Sequence, residues 1–147
     1  MAAPVLARIR RAVFARHCHP YSAWTRWASA PLIVVAAWTR RRRHAAWLAI
    51  WFAVNPFVFG VPDQQRAWST RAMLGEELWI TERPRDAAMV VSGLTCASAL
   101  VAVLSARRHC LLPAAIATVL QMTLTLIYWQ QMVRYLERER PNPAPFQ

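Results

Sequence analysis

Lysine is absent from this chain: all 18 basic side chains are arginine, set against only seven acidic ones, for a net charge of +11. Charge is scarce altogether. The charged fraction is 17%, where soluble domains carry about 25%. The three cysteines, Cys18, Cys96 and Cys110, are odd in number and form no CxxC pair, which excludes a disulfide framework and a dithiol redox motif. No phosphate-binding glycine loop, no nucleophile elbow, no HExxH and no paired metal motif occurs in the sequence, so the enzyme classes that announce themselves this way are not indicated. No catalytic residue, cofactor or metal is assigned.

What the chain does have is apolar residues in runs. They make up 56% of its 147 residues and do not alternate at a period of two or 3.6, which separates a membrane chain from a soluble one with a large core. The arginines sit at the ends of these runs, where they meet lipid phosphate rather than forming the basic face of a soluble nucleic-acid binder. The expected partners are therefore the bilayer, including its anionic headgroups, and a second copy or another membrane protein, with no nucleic acid.

Residues 1–19 read as a retained basic segment on the membrane surface. Val5, Ile9, Val13 and Phe14 fall at helical spacing, with Arg8, Arg11 and Arg16 around the rest. No cleavage site follows the next apolar run, which argues against a signal peptide. His17, Cys18 and His19 invite a metal reading, but no second ligand group stands at a matching spacing, so the cluster reads as a polar turn at the interface.

Four apolar spans follow, at about 21–38, 45–61, 87–105 and 110–129. The first contains Arg26 and Pro31. Arg26 can snorkel to the interface or face a polar interior, and Pro31 is expected to kink the helix. Arg40, Arg41, Arg42 and Arg43 form a tight basic loop between Trp38 and Trp47, a pairing suited to a headgroup boundary. The second span carries Asn55 directly before Pro56. This is either a plain helix terminus or a broken helix end of the kind that forms binding sites in transporters. In the third, Ser92, Gly93, Ser98 and Ala99 supply small surfaces for close helix packing; in the fourth, Thr118, Gln121 and Thr125 share a face suited to bonds between helices. That helix is expected to run on toward Arg140, where a Pro-rich flexible tail, 141–147, begins.

Between the two hairpins, residues 64–81 read as an amphipathic interfacial helix. Ala67, Trp68, Ala72, Leu74, Leu78 and Trp79 share its apolar arc, with Ser69, Glu76 and Glu77 opposite or at the edges. Neighbouring Glu76 and Glu77 diverge by about 100° on a helix and form no facing dyad. An ion pair with Arg71 or Arg83, or solvation, accounts for them.

Four blocks carry a family resemblance. The first is His17, Cys18, His19, Pro20, Tyr21, Ser22, Ala23, Trp24, Thr25 and Arg26. The second is Asn55, Pro56 and Phe59, followed by Pro62. The third is Trp68, Ser69 and Arg71, leading to Gly75, Glu76 and Trp79. The fourth is Trp129, Met132, Val133 and Tyr135. Together, over about 14–137, they resemble the small prokaryotic membrane proteins of domain-of-unknown-function family 6653. His19 stands where that pattern has Asn, and Gln130 and Gln131 stand where it has an acidic–basic pair. The resemblance implies a four-helix membrane fold with its function in the polar–aromatic blocks; it brings no activity, substrate or cofactor.

The expected fold is thus all-α: an integral membrane protein with four transmembrane helices in two hairpins and an amphipathic interfacial helix between them, followed by the tail. Twelve arginines flank one side and six the other, which puts both termini in the cytoplasm of a prokaryotic plasma membrane. The expected function is non-catalytic, through helix packing with the protein itself or a partner. The alternative is an oligomeric transporter or channel component with a polar site near Arg26, Asn55, Gln121 and Glu76. Candidate polar or interfacial residues are His17, His19, Trp24, Arg26, Asn55, Trp68, Arg71, Glu76, Trp79 and Gln121.

Overall fold

The computed structural model describes residues 15–62, 66–82 and 84–139. The surface segment expected at the N-terminus, apart from its last residues, and the Pro-rich tail lie outside the described residues. Among those described the protein is all-α, with six helices: α1 (Pro20–Ser29), α2 (Pro31–Thr39), α3 (Arg42–Phe59), α4 (Trp68–Glu82), α5 (Ala87–Arg107) and α6 (Leu111–Glu139).

Helix boundaries follow local chemistry. Pro31 opens α2; lacking an N–H, it cannot reach the Trp27 carbonyl, which accepts from the Ala30 N–H at 3.2 Å instead. Ala30 itself keeps a right-handed helical backbone, so α1 leads straight into α2. Asp86 caps α5, its carboxylate accepting from the Ala88 and Met89 N–H groups at 3.1 and 3.3 Å. The other end of α5 closes with His109 in the left-handed region at φ 55°. There the Cys110 N–H bonds the Ser105 carbonyl and the His109 N–H the Ala106 carbonyl, a Schellman arrangement. Pro56 does not end α3, which runs through it to Phe59. The stop comes at Gly60, whose φ of 73° suits glycine.

Two of the helices, α5 and α6, are long and apolar enough to cross a membrane, against the four expected. The first expected span is divided into pieces of 10 and 9 residues at Pro31. The second begins at Arg42 and carries Arg43, His44 and Asn55, which dilute its apolar character.

The chain falls into two compact units. One draws its described residues from Met1–Trp24, Val54–Pro84 and Trp129–Gln147. Its interior mixes apolar and polar groups: Cys18, Ser22, Ala23, Asn55, Ser69, Thr70, Ala72, Met73, Met132, Val133, Tyr135 and Leu136 are all buried. Here α4 meets α6 at Gly75, where a Cβ would stand 2.1 Å from the Met132 carbonyl oxygen. The face that α4 buries carries Ser69, Thr70, Ala72, Met73 and Gly75, while Trp68, Leu74, Leu78 and Trp79 are only half-buried. The arc expected from its apolar residues is therefore not the face it packs. A close crossing selects small side chains, and polarity on that face is tolerated where hydrogen bonds absorb it.

The other unit comprises Thr25–Ala53 and Arg85–Tyr128. There α2 packs against α5. Its buried residues are small: Ala36, Ala88, Ser98, Ala102, Ala106, Ala114 and Ala117, with Tyr128 the one large exception among those described. Its large apolar side chains point outward, among them Leu94, Leu100, Leu104, Ile116 and Val119, the last 65% exposed. Soluble proteins distribute these residues the other way round. Gly93, expected to serve close packing, has nothing within 4 Å of where a Cβ would stand.

Candidate functional site

The first unit gathers nearly every residue of the four sequence blocks. Residues 15–17, His17 included, are helical, and a turn at Cys18 and His19 leads from them into α1. Cys18 is fully buried, and its carbonyl accepts from the Thr70 hydroxyl of α4 at 2.7 Å. His19 is occupied locally: its Nδ1 accepts from the Tyr21 N–H at 3.3 Å and its ring stacks on Phe59 at 5.6 Å. Arg16 lies over the Phe57 ring at 5.2 Å.

One turn further, Ser22 and Asn55 meet with no exposed surface on either. The Ser22 hydroxyl donates to Asn55 Oδ1 at 2.7 Å, which joins α1 to the last turns of α3. Burying an amide and a hydroxyl without partners would cost about 1–3 kcal/mol each, so the pair specifies the register in which these helices dock.

Three tryptophans form an aromatic cluster in the same unit. Trp24 stacks on Trp68 at 5.9 Å and meets Trp129 edge-on at 5.7 Å, and Trp68 meets Trp129 at 5.8 Å. The Trp68 indole N–H donates to Gln130 Oε1 at 2.9 Å. Trp24 stays 40% exposed. Three indoles drawn from three helices bury much apolar area and hold fixed angles.

Charge sits toward the ends of α4 and α6. Arg71 pairs with Glu137, and the Tyr135 hydroxyl donates to Glu82 Oε2. Arg71 and Glu137 are partly exposed, at 34% and 48%, so the pair contributes no more than about 1 kcal/mol. The sequence reading offered Glu76 or Glu77 as partners of Arg71. Offsets of five and six residues turn those side chains well away on the helix, whereas α6 brings Glu137 alongside. Glu76 and Trp79 lie half-buried on α4.

Among the described residues, two buried side-chain atoms have no hydrogen-bond partner, Ser69 Oγ and Gln131 Oε1. Among the described residues no group of three His, Cys, Asp or Glu side chains could hold a metal ion.

Two sequence candidates belong to the other unit. Arg26 lies half-buried in the last turn of α1, its carbonyl accepting from the Ser29 hydroxyl at 3.1 Å. Gln121 of α6 donates to Thr125 Oγ1 at 3.2 Å, Thr125 donates back to the Gln121 carbonyl, and Thr118 bonds the Ala114 carbonyl. This polar stripe is satisfied within its own helix, not between helices as expected. The candidate residues read from the sequence did not include Ser22, Ser69, Thr70, Gln130 or Tyr135; all five stand in or beside the blocks, but a polar side chain on a helix carries no periodicity that predicts its partner.

Residues 7–112 match the family of unknown function DUF6653. The chain belongs to this family. The matched span covers the first three blocks and most of the helices, and it ends at the start of α6, so the Trp129–Tyr135 block lies beyond it. Neither the curated proteins nor the solved structures hold a match to the chain. Of the block residues, all but Thr25 and Arg26 fall in the first unit, which also holds the buried Ser22–Asn55 and Thr70–Cys18 hydrogen bonds.

Proposed function

We propose that this DUF6653 member is a non-catalytic, multi-pass membrane protein that acts by packing helices against a second copy or a membrane-protein partner. One observation carries the reading: the unit containing most of α5 and α6 fills its interior with alanine and turns its leucines, isoleucines and valines outward. In lipid such an arrangement costs nothing, because small residues let helices approach while large apolar ones meet acyl chains. In water it would leave those side chains exposed, the reverse of how soluble proteins bury them. Four crossings in two hairpins remain the topology that suits the chain. Residues 20–39 taken as one kinked helix measure about 30 Å, enough to span, and α3 pairs with them across the basic turn. Twelve arginines against six put the termini and residues 62–86 in the cytoplasm of a prokaryotic cell. Chemical crosslinking in native membranes followed by affinity capture tests the packing role. A discrete product, either a dimer or one stoichiometric partner, is expected; a chain that crosslinks to nothing at native abundance contradicts it.

A second reading, a transport or channel component built as an oligomer, is favoured by the buried polar interior of the first unit, where Ser69 Oγ and Gln131 Oε1 stand unpaired. Solute or ion flux through proteoliposomes that is abolished by Asn55→Leu would support it.

A further inference from the structure

The two short basic turns of the second unit, between α2 and α3 and between α5 and α6, come together. Arg40 donates from Nη2 to the Arg107 carbonyl, and Trp38 meets the His109 ring edge-on at 4.9 Å. Below this junction lies a groove of about 790 Å³, within the usual size of a small-molecule site, about 300–1,000 Å³. It is lined by the apolar Ile33, Ala36, Leu48, Ala49, Phe52 and Val103 and by four arginines, Arg40, Arg41, Arg42 and Arg107; the arginines, next to the turns, are its basic end.

We infer that this groove binds an anionic glycerophospholipid, with its phosphate at the basic end and an acyl chain along the alanine-lined floor. Charge complementarity identifies the occupant. Four arginines line the groove, and Arg43 and Arg108 adjoin them in sequence. The unit's sole carboxylate, Asp86, caps the opposite end of α5, about 30 Å away along a 21-residue helix. Clustered cations without a carboxylate need an anion, and arginine forks bind phosphate oxygens in pairs. Length identifies it further. From Arg42 to Phe52 the groove follows α3 for about 15 Å, half of a hydrocarbon core of about 30 Å, which is the depth of one leaflet. A free phosphate would use the basic end and leave the apolar lining uncovered. A second copy of this chain would have to bring acidic residues that the matching surface lacks.

The proposal rests on membrane embedding, so the test separates the two. Protein that stays with membranes after alkaline washing is purified in a neutral detergent. It is then titrated with phosphatidylglycerol, with phosphatidylcholine and with inorganic phosphate, and bound lipid is counted by native mass spectrometry. Phosphatidylglycerol should be retained in preference to phosphatidylcholine with a stoichiometry of one. Arg41→Gln with Arg42→Gln should weaken it about twenty-fivefold, at about fivefold per arginine on an anionic headgroup. Arg66→Gln with Arg134→Gln, which removes the same charge from the other unit, should leave it unchanged. Ala49→Phe, which fills the floor, should lower lipid retention too. Equal retention of both lipids, equal loss from both double variants, binding of inorganic phosphate that Ala49→Phe leaves intact, or a dimer that excludes lipid would each overturn the lipid site. Loss of the protein in the alkaline wash would overturn the membrane reading instead.

Discussion

Asn55 shows what a single side chain contributes here. The dipeptide Asn55–Pro56 marks a special position in the sequence, but only the fold reveals that its partner is Ser22, 33 residues away. No local pattern encodes that pairing, because it depends on how α1 and α3 are brought together. Replacing Asn55 by Leu should lower stability by about 1–3 kcal/mol, since a fully buried hydrogen bond between α1 and α3 is lost. Ser22→Ala should cost less. In a double-mutant cycle the two should couple by about 1 kcal/mol, read from thermal unfolding in detergent; strict additivity would mean that the bond does not form. Arg71 makes the same point. Its charge is visible in the sequence, yet five and six positions of helix separate its direction from those of Glu76 and Glu77, and its partner is Glu137.

At the scale of the element, α5 and α6 were the most legible parts. Their apolar runs are long and uninterrupted, and the observed ends lie within a few residues of those expected, including the continuation of α6 past its apolar run to Glu139. The first two spans were legible as apolar but not as single helices that qualify alone, because Pro31 and the Arg42–His44 start act on helix continuity and polarity, not on the presence of apolar residues. In α4 the helix was legible and its packed face was not. Hydrophobic periodicity selects the arc with the largest apolar side chains, whereas a close crossing selects the smallest ones, here Ser69, Ala72 and Gly75. The two glycines on helices therefore make a paired prediction. Gly75→Ala should destabilise the protein by about 3 kcal/mol, since the obstacle is the Met132 backbone and cannot rotate away. Gly93→Ala, which meets open space, should be neutral or stabilising by up to about 1 kcal/mol through helix propensity. Thermal unfolding of both variants side by side checks this; equal effects would contradict the close crossing at Gly75.

At the scale of the whole molecule, the arrangement of residue sizes says more than the count of apolar residues. In the second unit alanine lies inside and leucine outside, the pattern expected of helices in lipid. Reporter fusions check the proposed orientation: a fusion after Gln147 should report the cytoplasm and one after Arg43 the opposite side, and a cytoplasmic signal after Arg43 would reverse the topology. The native cysteines provide the most direct test of the membrane itself. Cys96 is exposed in the middle of α5, Cys110 is exposed at the turn, and Cys18 is buried. In opened membrane vesicles, with both faces accessible, a charged water-soluble maleimide should modify Cys110 and spare Cys96, while denaturation should open all three thiols. If Cys96 reacts as fast as Cys110 in the intact membrane, the outward face of α5 lies in water, and the account of this protein as a membrane-embedded bundle is wrong.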